Sequence, residues 1–197
     1  MIKYKTRNRK EIYIFAGPNG SGKSTVLKKF KNRESIPNKY ICPDFIVPKD
    51  KRNDKNEYLK AMQTCEQERY DCIKYEINFC FETVFSNPEK IDFIKYAQKH
   101  GYKVTTIYIV TSDPAINIER VAKRVREGGH NVPSDKIVSR YYRCMELMNE
   151  VIEISDAAYV YDTSDPNYKP KILFVKNDFG TYFHCPQDSW IRKYIHI

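Results

Sequence analysis

Eight consecutive residues constrain this chain more than any other feature: Gly17-Pro18-Asn19-Gly20-Ser21-Gly22-Lys23-Ser24. Such a run is a phosphate-binding loop when a buried strand delivers it and a helix leaves it. Both neighbours are present. Residues 11–16, Glu-Ile-Tyr-Ile-Phe-Ala, read as a buried strand, and Lys23 to Phe30 reads as a helix. A match by chance in a chain of this length arises on the order of 1% of the time, and the flanking elements lower that further. In such a loop, backbone N–H groups converge on phosphate oxygens and the following helix adds its positive end. Residues Gly17 to Thr25 are therefore the expected nucleotide contacts. Lys23 is expected to reach the β- and γ-phosphates of ATP or GTP, and the Ser24 hydroxyl to ligate Mg²⁺.

The rest of the chain alternates strands and helices. Tyr40-Ile41-Cys42 reads as a second strand ending at Pro43-Asp44. Pro48 to Asn56 is a charged, exposed connection. A long helix is expected over 57–77, with Leu59, Met62, Tyr70, Ile73 and Ile77 as its apolar spacing. Phe79-Cys80-Phe81 is a third strand ending in Glu82-Thr83, and Asn87-Pro88 opens a helix that Gly101 ends. Val104 to Val110 is the strongest strand signal, being rich in β-branched residues. Ser112-Asp113-Pro114 caps a helix carrying Arg120, Lys123, Arg124 and Arg126, which stops at Gly128-Gly129. One further helix is expected over 134–154, capped by Ser134 and bearing Arg140 and Arg143. Ala158 to Tyr161 is a fifth strand ending at Asp162, and residues 172–184 read as a hairpin added at the sheet edge.

That order specifies an α/β fold: a parallel sheet flanked by helices, with a helical lid at about 115–145 and a C-terminal β-hairpin. The expected organisation is a P-loop kinase-like domain over 1–170, with 171–197 packed on it as an appendage. Ligands of such sheets sit beyond the carboxyl ends of the strands. There the sequence offers the loop, Asp44, Glu82-Thr83 and Asp162.

Composition narrows the function classes. The chain has 197 residues, 41% of them apolar and 14% aromatic, enough to bury a core. Its apolar runs are too short to span a membrane, and Met1 to Arg7 lacks the apolar core of a signal peptide. The six cysteines form no C-x-x-C pair and show no zinc spacing, so reduced thiols of a cytoplasmic protein are expected. A net charge of +9 fits a phosphorylated small molecule, an acidic protein or a nucleic acid.

Several side chains have two readings. Asp44 either orients Mg²⁺ or takes a proton from an attacking hydroxyl, or else it caps the turn before Phe45-Ile46-Val47. Glu82 and Thr83 either hold an acceptor's hydroxyl groups or form a surface pair. Arg120 and Arg124, four apart, share one helix face. They either clamp a transferring phosphoryl group or face solvent, and the glycine pair after them favours a hinged lid. His130 reads as structural.

These pieces together resemble the zeta-toxin family of P-loop kinases, in its compact predicted-ATPase branch. The resemblance is carried by the loop, Pro43-Asp44, Phe81-Glu82-Thr83, and Arg120-Val121-Ala122-Lys123-Arg124-Val125. It continues through Gly128-Gly129-His130-Asn131-Val132-Pro133, Arg140-Tyr141 and Tyr161-Asp162. It spans residues 11–165, and the hairpin lies outside it. It implies transfer of a γ-phosphate to a small-molecule hydroxyl, which in the better-studied branch belongs to a UDP-N-acetylamino sugar. That branch acts as the toxin of a toxin–antitoxin pair, which implies an antitoxin protein as a partner. Carried over, Asp44 is the general base, Glu82 and Thr83 contact the acceptor, Arg120 and Arg124 are lid arginines, and Arg140 is a further lid candidate. The well-studied toxins place a glycine between the Glu and Thr that are adjacent here. A nucleoside, a nucleotide or an RNA end is the alternative acceptor, and a nucleotide-gated binding module the non-catalytic alternative.

Overall fold

The computed structural model describes residues 9–31, 36–51, 54–165, 167 and 170–197. The basic N-terminal run Met1 to Arg7 lies outside them, as do Arg52 and Asn53 of the charged connection.

Strand β1 (Glu11–Ala16) buries Ile12 and Ile14 on one face and Phe15 on the other. It lies between β3 (Phe79–Thr83) and β4 (Lys103–Val110), parallel to both. The short strand β2 (Lys39–Ile41) lies outside β3, and β5 (Ala157–Asp162) outside β4, again in parallel. The hairpin strands β6 (Lys171–Asn177) and β7 (Gly180–Phe183) then extend the sheet antiparallel beyond β5. The seven-stranded order is β2-β3-β1-β4-β5-β6-β7. Order reverses on either side of β1, so a crevice opens where β1 ends, the position of ligand sites in open sheets of this kind.

Helices cover both faces. On one face, helix α1 (Lys23–Lys31) packs Val26 and Leu27 against Phe15, Ile107 and Ile109. The larger core on the other face takes in α3 (Lys55–Lys74), α4 (Glu89–Lys99), α6 (Ser134–Glu146) and α7 (Met148–Ile154). The four-residue helix α2 (Pro43–Ile46) follows β2, and α5 (Pro114–Arg126) precedes α6. Val121, Val132 and Ile137 form a third, small cluster of α5 and α6, separate from both sheet cores.

Two expectations need correction. Helix α3 is real, but Leu59, Met62 and Ile77 are exposed, and the last lies beyond the helix. Its buried face is Ala61, Cys65, Cys72 and Ile73. Positions 61, 65 and 72 lie four and seven apart and so share a face, and small side chains let the helix sit close. The helix expected over 134–154 is two, α6 and α7, parted at Leu147. There φ −80° and ψ −9° depart from ideal helical values, although the Leu147 N–H still reaches Arg143 O and its carbonyl accepts from the Val151 N–H. Ser134 is the first helical residue and not the cap, which is Pro133. By contrast, Asp113 caps α5 as read, its side chain accepting from the Ala115 N–H.

Candidate active site

The loop is set by how tightly it lies against β4. Gly17 has φ +143°, and a Cβ there would run into the Ile109 carbonyl oxygen, so only glycine fits. The loop then turns with Ser21 N–H on Pro18 O at 3.3 Å and enters α1 with Thr25 N–H on Gly22 O at 3.1 Å. Side chains from three other segments fix it. Buried Asn117 donates to Asn19 O at 2.6 Å and accepts from the Thr111 hydroxyl. The buried Thr163 hydroxyl lies 2.7 Å from Ser21 O. Arg140 donates to Asn19 Oδ1 at 3.3 Å.

Lys23 Nζ donates to Gly17 O at 2.9 Å and Pro18 O at 2.8 Å, so its ammonium is folded over the loop. Burial lowers its pKa, and the Glu82 carboxylate pulls the other way. Ser24 donates to Glu82 Oε2 at 2.9 Å, and Tyr40 donates to Glu82 Oε1 at 2.6 Å. Burial and the same carboxylate raise the Tyr40 phenol. Glu82 thus sits over the start of α1, beside the hydroxyl expected to ligate metal.

Do these residues fit a nucleotide and Mg²⁺? Ser21 Oγ is buried and has no hydrogen-bond partner among the described residues, an orphan inside the loop. No cluster of three His, Cys, Asp or Glu that could hold a metal exists among the described residues. One hydroxyl and one carboxylate, Ser24 and Glu82, form the small oxygen set that suits Mg²⁺, an ion that keeps waters and takes its other ligands from phosphates. They fit.

Asp44 is exposed in the first turn of α2. The cap of that helix is Cys42, so Asp44 is not the capping residue. Its Oδ1 accepts from the Tyr58 hydroxyl at 3.3 Å. Burial, then the Asp44 charge, raises the Tyr58 phenol. The Tyr58 ring in turn stacks on His130, centroids 4.6 Å apart and 2° from parallel. His130 belongs to the loop after α5, so that stack joins the expected lid to α3, whose Tyr58 hydroxyl bonds Asp44 of α2.

The arginines separate. Arg120 donates to Thr163 O at 2.6 Å and braces the segment after β5. Arg124 is exposed, donates to His130 O at 2.7 Å, and acts electrostatically on Lys23 and Tyr58. Sharing a helix face does not make them a pair, because α5 lies between two different partners. The glycine pair after α5 also has a local task. Gly128, at φ +82°, ends the helix while the Gly129 N–H returns to Arg124 O at 2.9 Å, a left-handed C-terminal cap. Arg143 bonds its own helix at Ser139 O, and Asp162 accepts from the Ser164 N–H, so neither reaches the loop through these bonds.

Thr83 Oγ1 accepts from Lys90 Nζ at 2.7 Å. Lys90, Tyr58, Tyr40, Asn117 and Thr163 carry no sequence motif and were not among the expected site residues. Only Lys90 left a signal, a cation in the first turn of α4 where the helix dipole disfavours it.

A parallel sheet with a phosphate loop after its central strand, a carboxylate beside the loop serine and a helical pair beyond β4 defines a P-loop kinase-like α/β protein. Within that class the chain belongs to the zeta toxin family, whose model matches residues 47–169. That span holds Glu82, Thr83, Arg120, Arg124 and Arg140; the loop and Asp44 precede it. The chain is 29% identical over 140 residues to an uncharacterized protein of Haemophilus influenzae, covering 68% of this chain and 99% of that one. Among solved structures, the AvrRxo1-ORF1:-ORF2 complex with ATP is similar at TM-score 0.70 and 11% identity. The match covers 89% of this chain and 61% of that chain, so this protein spans about three fifths of that relative's length. The PezAT chromosomal toxin–antitoxin system of Streptococcus pneumoniae is similar at TM-score 0.56 and 18% identity, over 84% of this chain and 74% of that chain.

Proposed function

We propose that the protein is an ATP- or GTP-dependent phosphotransferase that moves the γ-phosphate to a small-molecule hydroxyl. The observation that carries this reading is the Ser24–Glu82 hydrogen bond beneath a Lys23 ammonium poised on the loop, with Asp44 held by Tyr58 at the neighbouring strand end. Family membership and the ATP bound by the AvrRxo1 relative support it.

In this mechanism the amides from Gly20 to Ser24 cradle the phosphates, and Lys23 leaves two carbonyls for the β- and γ-oxygens. Ser24 and Glu82 would hold Mg²⁺, which neutralises charge on those oxygens. Asp44 accepts the proton of the acceptor hydroxyl as its oxygen bonds to the γ-phosphorus. The bond from that phosphorus to the β,γ-bridging oxygen breaks, and the nucleoside diphosphate leaves. Tyr58 donates to Asp44 and keeps the carboxylate aimed. Arg124, tied to His130, comes with the lid formed by residues 115–145 and offsets charge on the transferring group. Arg120 and Arg140 hold the walls of the loop. The hairpin 171–197 is an appendage of the same domain.

The acceptor offered by the family is a UDP-N-acetylamino sugar, and the family also suggests a toxin with an antitoxin partner, as in the PezAT system. Among the described residues no helix is long and apolar enough to cross a membrane. Six free thiols suit the cytoplasm, where ATP is found.

The test is phosphorus NMR of the protein with Mg²⁺, ATP or GTP, and a panel of UDP-sugars, nucleosides and RNA ends, beside Lys23→Ala. A new phosphomonoester lost in the variant is the expected result. Nucleotide binding without transfer to any acceptor would replace the kinase with a nucleotide-gated binding module.

A further inference from the structure

The C-terminal hairpin extends the sheet without extending its cover. Parallel strands are joined by crossovers that lay helices on the sheet, whereas β6 and β7 join as antiparallel strands and bring none. One face of the hairpin is filled: Leu173, Phe174 and Phe183 pack into the larger core with Ile152 of α7 and Ile191 near the C-terminus. The opposite face is the one on which α1 packs, and every helical residue of its cluster belongs to α1.

Register sets Ile107, Tyr159, Val175 and Tyr182 side by side on that second face, in β4, β5, β6 and β7. Tyr13 of β1 shares the face with Phe15, two residues on. It lies near enough to Tyr159 for the two phenols to act on each other electrostatically. Tyr13 and Tyr159 are half-buried, Tyr182 is 47% exposed, and Phe179 at the hairpin tip is 87% exposed. An antiparallel face left to water normally alternates polar side chains outward. Here the outward positions hold Tyr159, Val175 and Tyr182, an apolar patch of the kind that marks an interaction surface.

The rings are held in place. The Tyr182 hydroxyl and two of its ring atoms lie 3.4–3.8 Å from where a Cβ of Gly180 would stand, and the hydroxyl donates to Phe179 O at 2.7 Å. Gly180, two residues earlier on the same face, thus lets the ring lie down on the strand, and the hydroxyl fixes it there. Tyr13, Tyr159 and Tyr182 stand on β1, β5 and β7, each two strands from the next and so about 10 Å apart across the sheet.

The rim is basic. Helix α1 carries Lys28, Lys29 and Lys31 in its last turn and no acid along its length. Lys31 Nζ stands over the Tyr40 ring at 4.4 Å. The ten residues that lead into β1 hold Lys3, Lys5, Arg7, Arg9 and Lys10 and no acid. At the lower edge of the face Lys103 pairs with Asp178 at 2.8 Å, which leaves Glu11 as the carboxylate acting on Tyr13.

Fixed aromatic rings on an open sheet, with cations along one side, suit a single strand whose bases stack on the rings while its phosphates follow the lysines. A second copy of the chain would set the same lysines, and a net charge of +9, against their like. We infer that the sheet face running from Tyr13 through Tyr159 to Tyr182 binds single-stranded nucleic acid, with the α1 lysines on its phosphates. The strand is a bound partner and not the phosphate acceptor. The surface lies on a face of the sheet, away from the strand ends, so this inference does not rest on the kinase reading.

The test is fluorescence anisotropy of labelled oligouridine and oligodeoxyuridine of about 12 nucleotides, at several salt concentrations, with and without a non-hydrolysable ATP analogue. Binding of either strand, unchanged by the analogue and weaker for a duplex of equal length, is the expected result; a preference between the strands tells RNA from DNA. Log affinity should fall with log salt at a slope of about −2, as for three phosphate contacts. Tyr159→Ala and Tyr182→Ala should each weaken binding about fivefold or more. Tyr182→Phe keeps the ring and should stay within about twofold of wild type, which guards against a variant that merely misfolds. Lys28→Gln with Lys29→Gln should lessen the salt slope by about 1. No binding at low salt, or equal affinity in wild type and both alanine variants, overturns the proposal. Binding abolished by the analogue or by Lys23→Ala also overturns it, by placing the strand in the nucleotide site. A dimer in light scattering that Tyr182→Ala dissociates would give the face to a second copy instead. Failure of the kinase reading would show separately, as no phosphoryl transfer by a protein that still binds the strand.

Discussion

Replacing Gly17 with alanine separates two costs that are usually mixed. Gly17 and Gly22 both have positive φ, +143° and +87°. A Cβ on Gly22 would meet nothing within 4 Å, whereas one on Gly17 would collide with the Ile109 carbonyl and lie 3.0 Å from Ser21 Oγ. Gly22→Ala therefore carries the backbone strain alone, about 1–2 kcal/mol. Gly17→Ala adds an overpacking cost of about 1–3 kcal/mol, because Ile109 is central-strand backbone that cannot rotate away. The sum is about 2–5 kcal/mol. For a chain of this size each kcal/mol shifts Tm by about 2–4 °C. Gly17→Ala should then melt about 2–12 °C below Gly22→Ala, read by far-UV circular dichroism. It should also lose nucleotide affinity, since the loop must leave β4 and takes Ser21 and the two carbonyl partners of Lys23 with it. Equal melting of the two variants would refute the claim that the loop is seated on β4 by a close backbone contact.

Asp44→Asn should lower turnover about 10²–10⁴-fold with nucleotide binding intact, and unchanged turnover would remove Asp44 from the chemistry. Tyr58→Phe keeps the stack on His130 but loses the hydrogen bond to Asp44; kcat should fall about 2–10-fold with KM for nucleotide little changed, whereas Tyr58→Ala should change both. Glu82→Gln should weaken Mg²⁺ binding, seen as about a 10–100-fold rise in the metal concentration needed for half-maximal rate. Burial first, then Arg69, presses the Lys90 pKa down to about 8, so Lys90 binds its proton less well folded than unfolded. The unfolded chain then holds more protons between about pH 8 and 10.4, so this group makes stability rise with pH across that window. Buried thiols such as Cys65, Cys80 and Cys144, held above their ordinary range, pull the other way in both proteins, so urea unfolding at several pH values should show the stability of wild type relative to Lys90→Met rising across that window.

What the sequence made legible follows a physical divide. The strands were readable because each fully buried one is a short β-branched or aromatic run, Val104 to Val110 above all, and the loop because glycine and lysine are demanded by backbone geometry and charge. Helix α3 was readable as an element but not in orientation. Its large apolar side chains, Leu59 and Met62, face outward, while Ala61, Cys65 and Cys72 face the sheet. Periodicity weighted by bulk picks the wrong face whenever close packing selects small residues. The break at Leu147 carries no proline or glycine and could not be read. The site divides in the same way. The residues proposed for the phosphate chemistry, Lys23, Ser24, Asp44 and Glu82, stand at strand ends and helix starts, where position alone picks them out. Tyr40 and Tyr58, which bond Glu82 and Asp44, and Asn117 and Thr163, which bond the loop, come from distant segments that only the tertiary fold brings together. Arg120 is the converse: its motif position suggests a phosphate clamp, and the fold adds a hydrogen bond from its guanidinium to Thr163 O that no motif announces. Lys90 belongs to neither group. Its side chain is placed against its helix dipole and among like charges, and a sequence read for motifs passes over it. A sequence read for charges that local structure disfavours would stop there, and the fold answers the conflict by anchoring the ammonium on Thr83 Oγ1 and Val84 O.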